Sequence, residues 1–500
     1  MMCTNDTNID FTTQPLAIIL IGASGDLAKK KTFPSLYQLY IRDFLQNDVV
    51  IYGYGRSMLT QEELHIKILP YLSHGTKVQK KTFLSKCYYQ VGQNYTDVVA
   101  FREMRSDLES IRNRDKRYTN TIHTSYNYLF YMATPPNVFE DVTKTIAESF
   151  HDVLSSSSVR FLYEKPFGKD LDSYKQLSSS LFRLGLKEEQ IYRIDHYLGK
   201  RMVRAIPILR FGVLDDISKF ESKWNKNHIS HVIIQMREPF GAEERGYFDE
   251  YGIIRDVIQN HLLQIMSLIA MERPVSFEKA NHDDIRDAKY NVLKQIKPPS
   301  KDDCVVGQYE GYSYQGEKSH TPTYAAIKLW VDNDRWRGVP FYLIAGKALD
   351  RRLVQVKVGF KDFDRSGFAS CCSGMKSTTN AELLIQVQPQ QIVQFTLNEK
   401  RKGYTNKSVK SYLDEISGGS HDVVNNEYST LIFDSLKGDS SCFVRDDELQ
   451  RAWEIFTPLL HEVALAPIYN YKFGSSGPKE VEELLRPYNA NAPEFNMSRL

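Results

Sequence analysis

Between Arg193 and Lys200 the sequence reads RIDHYLGK and packs an acid, an imidazole, a phenol and an amine into one short stretch. Ionisable residues gathered at a domain junction are site candidates. A second segment, Arg255 to His261 (RDVIQNH), carries Asp256 and His261 on a strongly apolar helical pattern. A histidine on such a face is, taken alone, more often a satisfied core residue than a base. A third, Glu164-Lys165-Pro166-Phe167-Gly168, sets Lys165 before a proline and so favours an extended conformation at a strand end. There a charge can point to the carboxyl edge of a parallel sheet, where ligands bind. For His261, taken with the other two segments, those odds reverse, and the three together read as candidate site residues.

A fourth feature suggests a nucleotide. Gly22-Ala23-Ser24-Gly25-Asp26-Leu27-Ala28 directly follows the apolar run Leu16 to Ile21 and precedes a helical pattern. Small residues there let backbone approach a pyrophosphate at a helix N-terminus. The spacing is Gly-x-x-Gly-x-x-Ala instead of the commoner Gly-x-Gly-x-x-Gly, and the turn alone is as often structural. In NAD-binding units an acid about 20 residues on accepts from the ribose 2′-hydroxyl, whereas an arginine accommodates a 2′-phosphate. The second apolar run, Val49 to Gly55, ends at Arg56 and contains no acid, so the pattern favours NADP over NAD. Lys29, Lys30 and Lys31 add local positive charge.

These residues need strands to hold them. Apolar runs at Leu16–Ile21, Val49–Gly55, Tyr128–Met132 and Val159–Tyr163 alternate with helical patterns, which predicts a Rossmann-type, doubly wound parallel sheet over residues 15–195. Residues 1–14 read as a flexible N-terminus. Beyond Asp195, alternating runs such as HVIIQMREP, YAAIKLWVDN, LVQVKVGF and ELLIQVQP predict an α+β domain over 196–500, built on a large antiparallel sheet. The Gly/Ser-rich region Ser366 to Thr379 reads as a loose loop. A 500-residue chain with 42% hydrophobic and 25% charged residues has the composition of a folded, multidomain protein.

A net charge of +2 supplies no overall field for nucleic acid or anionic membrane, so an anionic ligand must be held by local charge. Six cysteines without CxxC spacing indicate neither a disulfide scaffold nor a metal site. The first 14 residues are polar without a basic region, and Leu16 to Ile21 is too short for a signal core or a membrane span. A cytoplasmic, metal-free protein is expected.

The sequence resembles the glucose-6-phosphate 1-dehydrogenase family from about Pro15 to Pro478, where GASGDLAKKK, EKPFG, RIDHYLGK, GIIRDVIQNHLLQ, RWRGVPF, GKAL and IFTPLL occur in the family's order. RIDHYLGK is very specific; the glycine turn is not. The family's fold is an NADP-binding Rossmann domain followed by a domain with a large antiparallel sheet. Its reaction is the first oxidation of the oxidative pentose phosphate pathway. The resemblance implies that His261 takes the proton of the carbon-1 hydroxyl of glucose 6-phosphate and that Asp195 orients this histidine. It implies that His196, Tyr197 and Lys200 meet the sugar phosphate, that Lys165 lies between substrate and coenzyme, and that Glu238, Asp256, Lys347 and Arg352 are further sugar-binding positions. The DRRLVQ around Arg352 differs from the family's usual pattern, and the loop EPFGAEERGYFDE is one residue short.

The family associates through the sheet of its second domain, which implies a homodimer or homotetramer. Some members hold a second, structural NADP in that domain. The corresponding positions here are Ile344, Leu353, Gln386 and Thr396, with only Lys357 basic, and the last 15 residues lack tryptophan, so one NADP per subunit is expected. Two other readings remain open. A silent NADPH sensor would be expected to have lost the base or its partner, yet both are present. A dehydrogenase of a neutral substrate would not need His196 and Lys200.

Overall fold

The structure, a computed structural model, describes residues 10–46, 48–114, 126–154, 156–211, 221–243, 248–275, 282–361, 381–397 and 426–486. Cys3, Cys371, Cys372, the loop 366–379 and all but Arg486 of the C-terminal tail lie outside them. The chain forms two compact units.

The first unit holds six strands: β1 Leu16–Ile21, β2 Val50–Gly55, β3 Cys87–Val91, β4 Asn127–Met132, β5 Val159–Tyr163 and β6 Ile191–Arg193. All pairings are parallel, in the order 3-2-1-4-5-6. This is the dinucleotide-binding order, whose direction reverses between β1 and β4. β1 (LAIILI) is buried at every position, as a strand covered on both faces must be, and so reads as a continuous apolar run. β6 has only three residues, too few to carry a pattern of its own.

This unit departs from the contiguous span expected for it, because it also takes in residues 426–446. The helix Glu427–Lys437 packs Leu431, Ile432 and Leu436 into the core around Phe33 and Leu36. The buried Arg160 donates to the carbonyls of Ser435 and Leu436 at 2.6 and 2.9 Å. Periodicity sees such a helix but not its partner, because the partner lies nearly 400 residues earlier. The expected flexible N-terminus is also revised where it is described. Phe11 is fully buried, with the Arg160 guanidinium 3.9 Å from its ring centre, and Asp10 pairs with Lys437.

The second unit contains β7 Ile229–Arg237, β8 Cys304–Tyr309, a small hairpin of β9 Ser313–Tyr314 and β10 Glu317–Lys318, β11 Tyr324–Trp330, β12 Pro340–Gly346, β13 Leu353–Phe360, β14 Ala381–Gln388, β15 Ile392–Leu397 and β16 Tyr469–Tyr471. Eight of them form one sheet in the order 15-14-13-7-12-11-8-16. The sheet is mixed where an antiparallel one was expected, since β7 pairs parallel to β12 and β8 to β16. β14 alternates strictly between buried and half-buried positions, whereas the central β7 is buried almost throughout. The helical segment that starts at Ile254 packs on β7 and β12. Among the described residues, no helix is long and apolar enough to cross a membrane.

Candidate active site

In the first unit the candidate residues stand where the strands end. Gly22 follows β1 and turns with φ +86°, and a Cβ there would lie 2.5 Å from the Ala133 carbonyl, so only glycine fits. The Gly22 and Ala23 amides donate to the Tyr54 carbonyl at 2.8 and 3.1 Å, and Gly25 donates to Gly22 at 2.9 Å. The result is a tight cradle of Gly22, Ala23, Ser24 and Gly25 ahead of the helical residues from Asp26 and Leu27 onward. A tight turn of small residues ahead of a helix fits the pyrophosphate of a dinucleotide. Ser24 accepts from Ser57 at 2.9 Å, which ties the turn to the loop after β2. Arg56 opens that loop, exposed, with its guanidinium 4.9 Å from the Tyr95 ring centre. The lysine run is less free than its sequence suggests: Asp26 pairs with Lys29 at 2.9 Å and Lys30 at 2.8 Å.

Glu164 and Lys165 follow β5, and Ile194 and Asp195 follow β6, with the Ile194 amide bonded to the Tyr163 carbonyl at 2.9 Å. Asp195 is buried, and its Oδ1 accepts from the Tyr197 amide at 3.0 Å. The His196 ring stacks on Tyr428 at 5.9 Å and nearly parallel. Gly199 lets the helix that begins at Glu427 come close, because a Cβ would lie 2.6 Å from the Glu427 carbonyl. RIDHYLGK is thus held by β6 at its start and by the returning helix at its end.

The sequence reading missed the part Glu164 plays. It is buried and accepts from the Tyr131 hydroxyl at 2.5 Å. Burial pushes its carboxyl up to about 7, against the lowering effect of Tyr131 and Lys165, while Asp195 pushes it further up. The signal available was an acid next to a strand-end lysine, which alone does not show burial. A raised carboxyl favours the protonated fold, so stability is fully present below the ordinary value of 4.5 and is lost as pH rises through about 7. Glu164→Gln keeps a neutral acceptor for Tyr131. Its melting free energy should gain on the wild type by roughly 1–3 kcal/mol between about pH 4.5 and pH 8. A gap that stays constant with pH would show that Glu164 is not protonated in the fold.

In the second unit the parallel pairing of β7 with β12 does the positioning. Arg237 and Gly346 are register partners, so Glu238 and Lys347, one residue further along each strand, emerge at the same edge. The Glu238 amide donates to the Gly346 carbonyl at 3.0 Å. Lys347 is fully buried, and its ammonium pairs with Glu238 and, at 3.1 Å, with Asp256 of the helix behind. Gly346 is required because a Cβ would lie 2.5 Å from the Tyr324 ring, and Ala348 adopts φ +51°, a strained backbone of the kind found at binding sites. His261 is buried on the same helical segment as Asp256. Lys200 precedes the helix Arg201–Phe211 and its carbonyl caps the Val203 and Arg204 amides. Arg352 is exposed just before β13, with no ion pair among the described residues.

Comparison with known proteins gives the same answer for both units. Residues 19–205 match the family model for the glucose-6-phosphate dehydrogenase NAD binding domain, and residues 210–492 match the one for its C-terminal domain. Glucose-6-phosphate 1-dehydrogenase 6, cytoplasmic, of Arabidopsis thaliana is 43% identical over 480 residues, covering 94% of this chain and 90% of its own. The glucose-6-phosphate 1-dehydrogenase of Dictyostelium discoideum is 41% identical over 489 residues, covering 95% of this chain and 94% of its own. A solved glucose-6-phosphate dehydrogenase in complex with glucose 6-phosphate superposes with a TM-score of 0.82 at 36% identity, covering 98% of this chain and 99% of that one. The enzyme from Mycobacterium avium gives 0.76 at 29% identity, covering 94% and 97%. With family matches on both units and relatives above 40% identity along nearly the whole chain, the protein belongs to the glucose-6-phosphate dehydrogenase family.

Proposed function

We propose that this protein oxidises D-glucose 6-phosphate to 6-phospho-D-glucono-1,5-lactone and reduces NADP to NADPH. The observation that carries this reading is the cluster of half-buried Glu238 with buried Asp256 and Lys347, built by β7, β12 and the helix that also bears His261. Two carboxylates around one ammonium present acceptors and a donor for sugar hydroxyls. His261 takes the proton of the carbon-1 hydroxyl as the carbonyl forms, and an imidazole suits that task because it titrates near neutral pH. By the family's pattern, Asp195 is the carboxylate that orients and stabilises the imidazolium, and His196, Tyr197 and Lys200 hold the phosphate. Lys165, following β5, serves substrate and coenzyme. The cradle of Gly22 to Gly25 fits the coenzyme pyrophosphate and Arg56 its 2′-phosphate. NADP, when bound, supplies the acceptor of the hydride leaving carbon 1.

The assay is NADPH absorbance with glucose 6-phosphate against glucose, and with NADP against NAD. Turnover with glucose 6-phosphate and NADP supports the reading. Coenzyme binding without turnover would identify a silent NADPH-binding homologue instead.

Two expectations concern the coenzyme. Arg56→Ala should weaken NADP about 10- to 100-fold more than NAD, since a charged hydrogen bond contributes about 1.5–3 kcal/mol. Equal weakening of both would show that Arg56 does not read the 2′-phosphate. Calorimetry of coenzyme-stripped protein should find one NADP per subunit. Of the positions matching the family's second site, Ile344 and Leu353 are apolar and buried, and Gln386 donates to the Gln390 carbonyl. Lys357 sits 3.8 Å from Glu382. One half-buried lysine facing a carboxylate is a poor receiver for three phosphates. A stoichiometry of two would overturn this.

The cytoplasmic names of the plant relatives support a cytoplasmic location. A homodimer or homotetramer is the expected assembly, and sedimentation would test it.

A further inference from the structure

The helix bearing His261 is not an ordinary α-helix. Gly252, with φ +66°, breaks the preceding helix, and Ile254–Leu262 then form a π-helix of nine residues before α-helical turns resume at Leu263. The Leu263 amide donates to the Ile258 carbonyl five residues back as well as to Asn260. π-helical turns are rare, and where they occur they are frequently functional. Here the consequence is geometric. In an α-helix five residues advance about 500°, so positions 256 and 261 would stand about 140° apart. A ladder closed over five residues sets them one above the other, as positions four apart are set in an α-helix.

A wider turn must be held open, and one side chain is placed to do it. Asn260 Oδ1 accepts from the His261 amide at 2.7 Å, and its Nδ2 donates to the Arg255 carbonyl at 3.0 Å. In an α-helical ladder the His261 amide would donate to Val257 and the Arg255 carbonyl would accept from Gln259. Asparagine competes for backbone groups in this way where a helix interior is irregular. The N-terminal end is anchored separately, by Arg255 donating from Nε to the Lys169 carbonyl at 2.6 Å and from a terminal nitrogen to Tyr251 at 3.1 Å.

We infer that Asn260 is a positioning residue for the reaction: its amide sustains the π-helical register that presents His261 and Asp256 on one face. The inference rests on the reading of His261 as the base and of Asp256 as a sugar-binding position. Without the amide, the segment relaxes toward α-helix, and His261 rotates away from the Asp256–Lys347 cluster while the first unit's coenzyme residues are untouched.

The test uses Asn260→Ala and Asn260→Leu in the full chain, the second keeping the branched side-chain shape without its polar atoms. For each variant, kcat, the KM for glucose 6-phosphate and the NADP Kd are measured. The His261 ring is followed by NMR of histidine-labelled protein, with its signal assigned by its loss in His261→Asn. The expected result is a kcat lower by roughly 10- to 100-fold, the order that a misplacement of about 1 Å costs, with NADP Kd within twofold and a shifted His261 titration midpoint. If one variant fails to fold, the other is read. A folded variant with kcat within twofold of wild type and an unmoved His261 signal overturns the inference. A wild type inactive on glucose 6-phosphate, with the His261 signal still moved in the variants, overturns the functional reading and leaves the positioning role standing.

Discussion

Replacing His261 with asparagine is expected to lower kcat by roughly 10²–10⁴-fold while leaving the Kd for glucose 6-phosphate within a few-fold. The size follows from the role proposed for the group: an imidazole that accepts a proton only as the carbon-1 carbonyl forms contributes in the transition state and little before it. The structure makes this a clean substitution. His261 is buried on a helical segment whose apolar residues, Val257, Ile258 and Leu262, are buried with it, so asparagine neither exposes a surface nor needs room. Stopped-flow measurement of NADPH formation separates the chemical step from product release. The opposite pattern, a raised Kd with kcat retained, would make His261 a hydrogen-bonding group for the sugar and leave the base to be found elsewhere.

Much of this site was legible before any coordinates because its residues sit at strand ends and in dense motifs. A run such as LAIILIGASGDL shows strand, turn and helix at once, and Gly22 confirms the reading through a left-handed φ and a contact that a Cβ would spoil. The alternating runs from residue 231 onward likewise correspond to β7, β11, β13 and β14. What stayed hidden depends on pairing between distant segments. Alternation does not say whether β12 runs with or against β7, yet the parallel choice is what brings Glu238 and Lys347 to one edge. Hydrophobic periodicity could not report the π-helix, because a nine-residue segment is too short to separate a turn of four residues from one of five. Nor could it assign the helix 427–437 to the first unit, or show that Arg352 stands exposed. The raised carboxyl of Glu164 belongs to the same class, since its cause is burial, which the hydrogen bond from Tyr131 on a neighbouring strand only partly opposes.

Lys347→Met should destabilise the protein by about 3–5 kcal/mol, the range found when one member of a buried ion pair is removed and its partners are left charged. Lys347 has no exposed surface, and the side chain of Asp256 is 3% exposed and that of Glu238 17%. The methionine fills nearly the same volume, so the loss is electrostatic: two carboxylates would face each other with no cation between them. Their answer is for one to hold a proton, which raises its pKa in the fold above its unfolded value. Stability tied to that proton is present at low pH and disappears as pH rises through the raised value. The difference in melting temperature between wild type and variant should therefore be on the order of 10 °C at about pH 8 and clearly smaller near pH 5. A second change, Asp256→Asn in the Lys347→Met background, removes one of the two charges and should recover part of the stability at pH 8, whereas the same change in the wild type should not stabilise. In the assay the variant's KM for glucose 6-phosphate should rise by about tenfold or more, because in the proposed reaction the lysine and the carboxylates it positions hold the sugar. A variant that melts within 2 °C of wild type at both pH values would mean the two carboxylates are solvated well enough to stand alone, and the cluster could not then be the preorganised, water-poor sugar site that the proposed reaction requires.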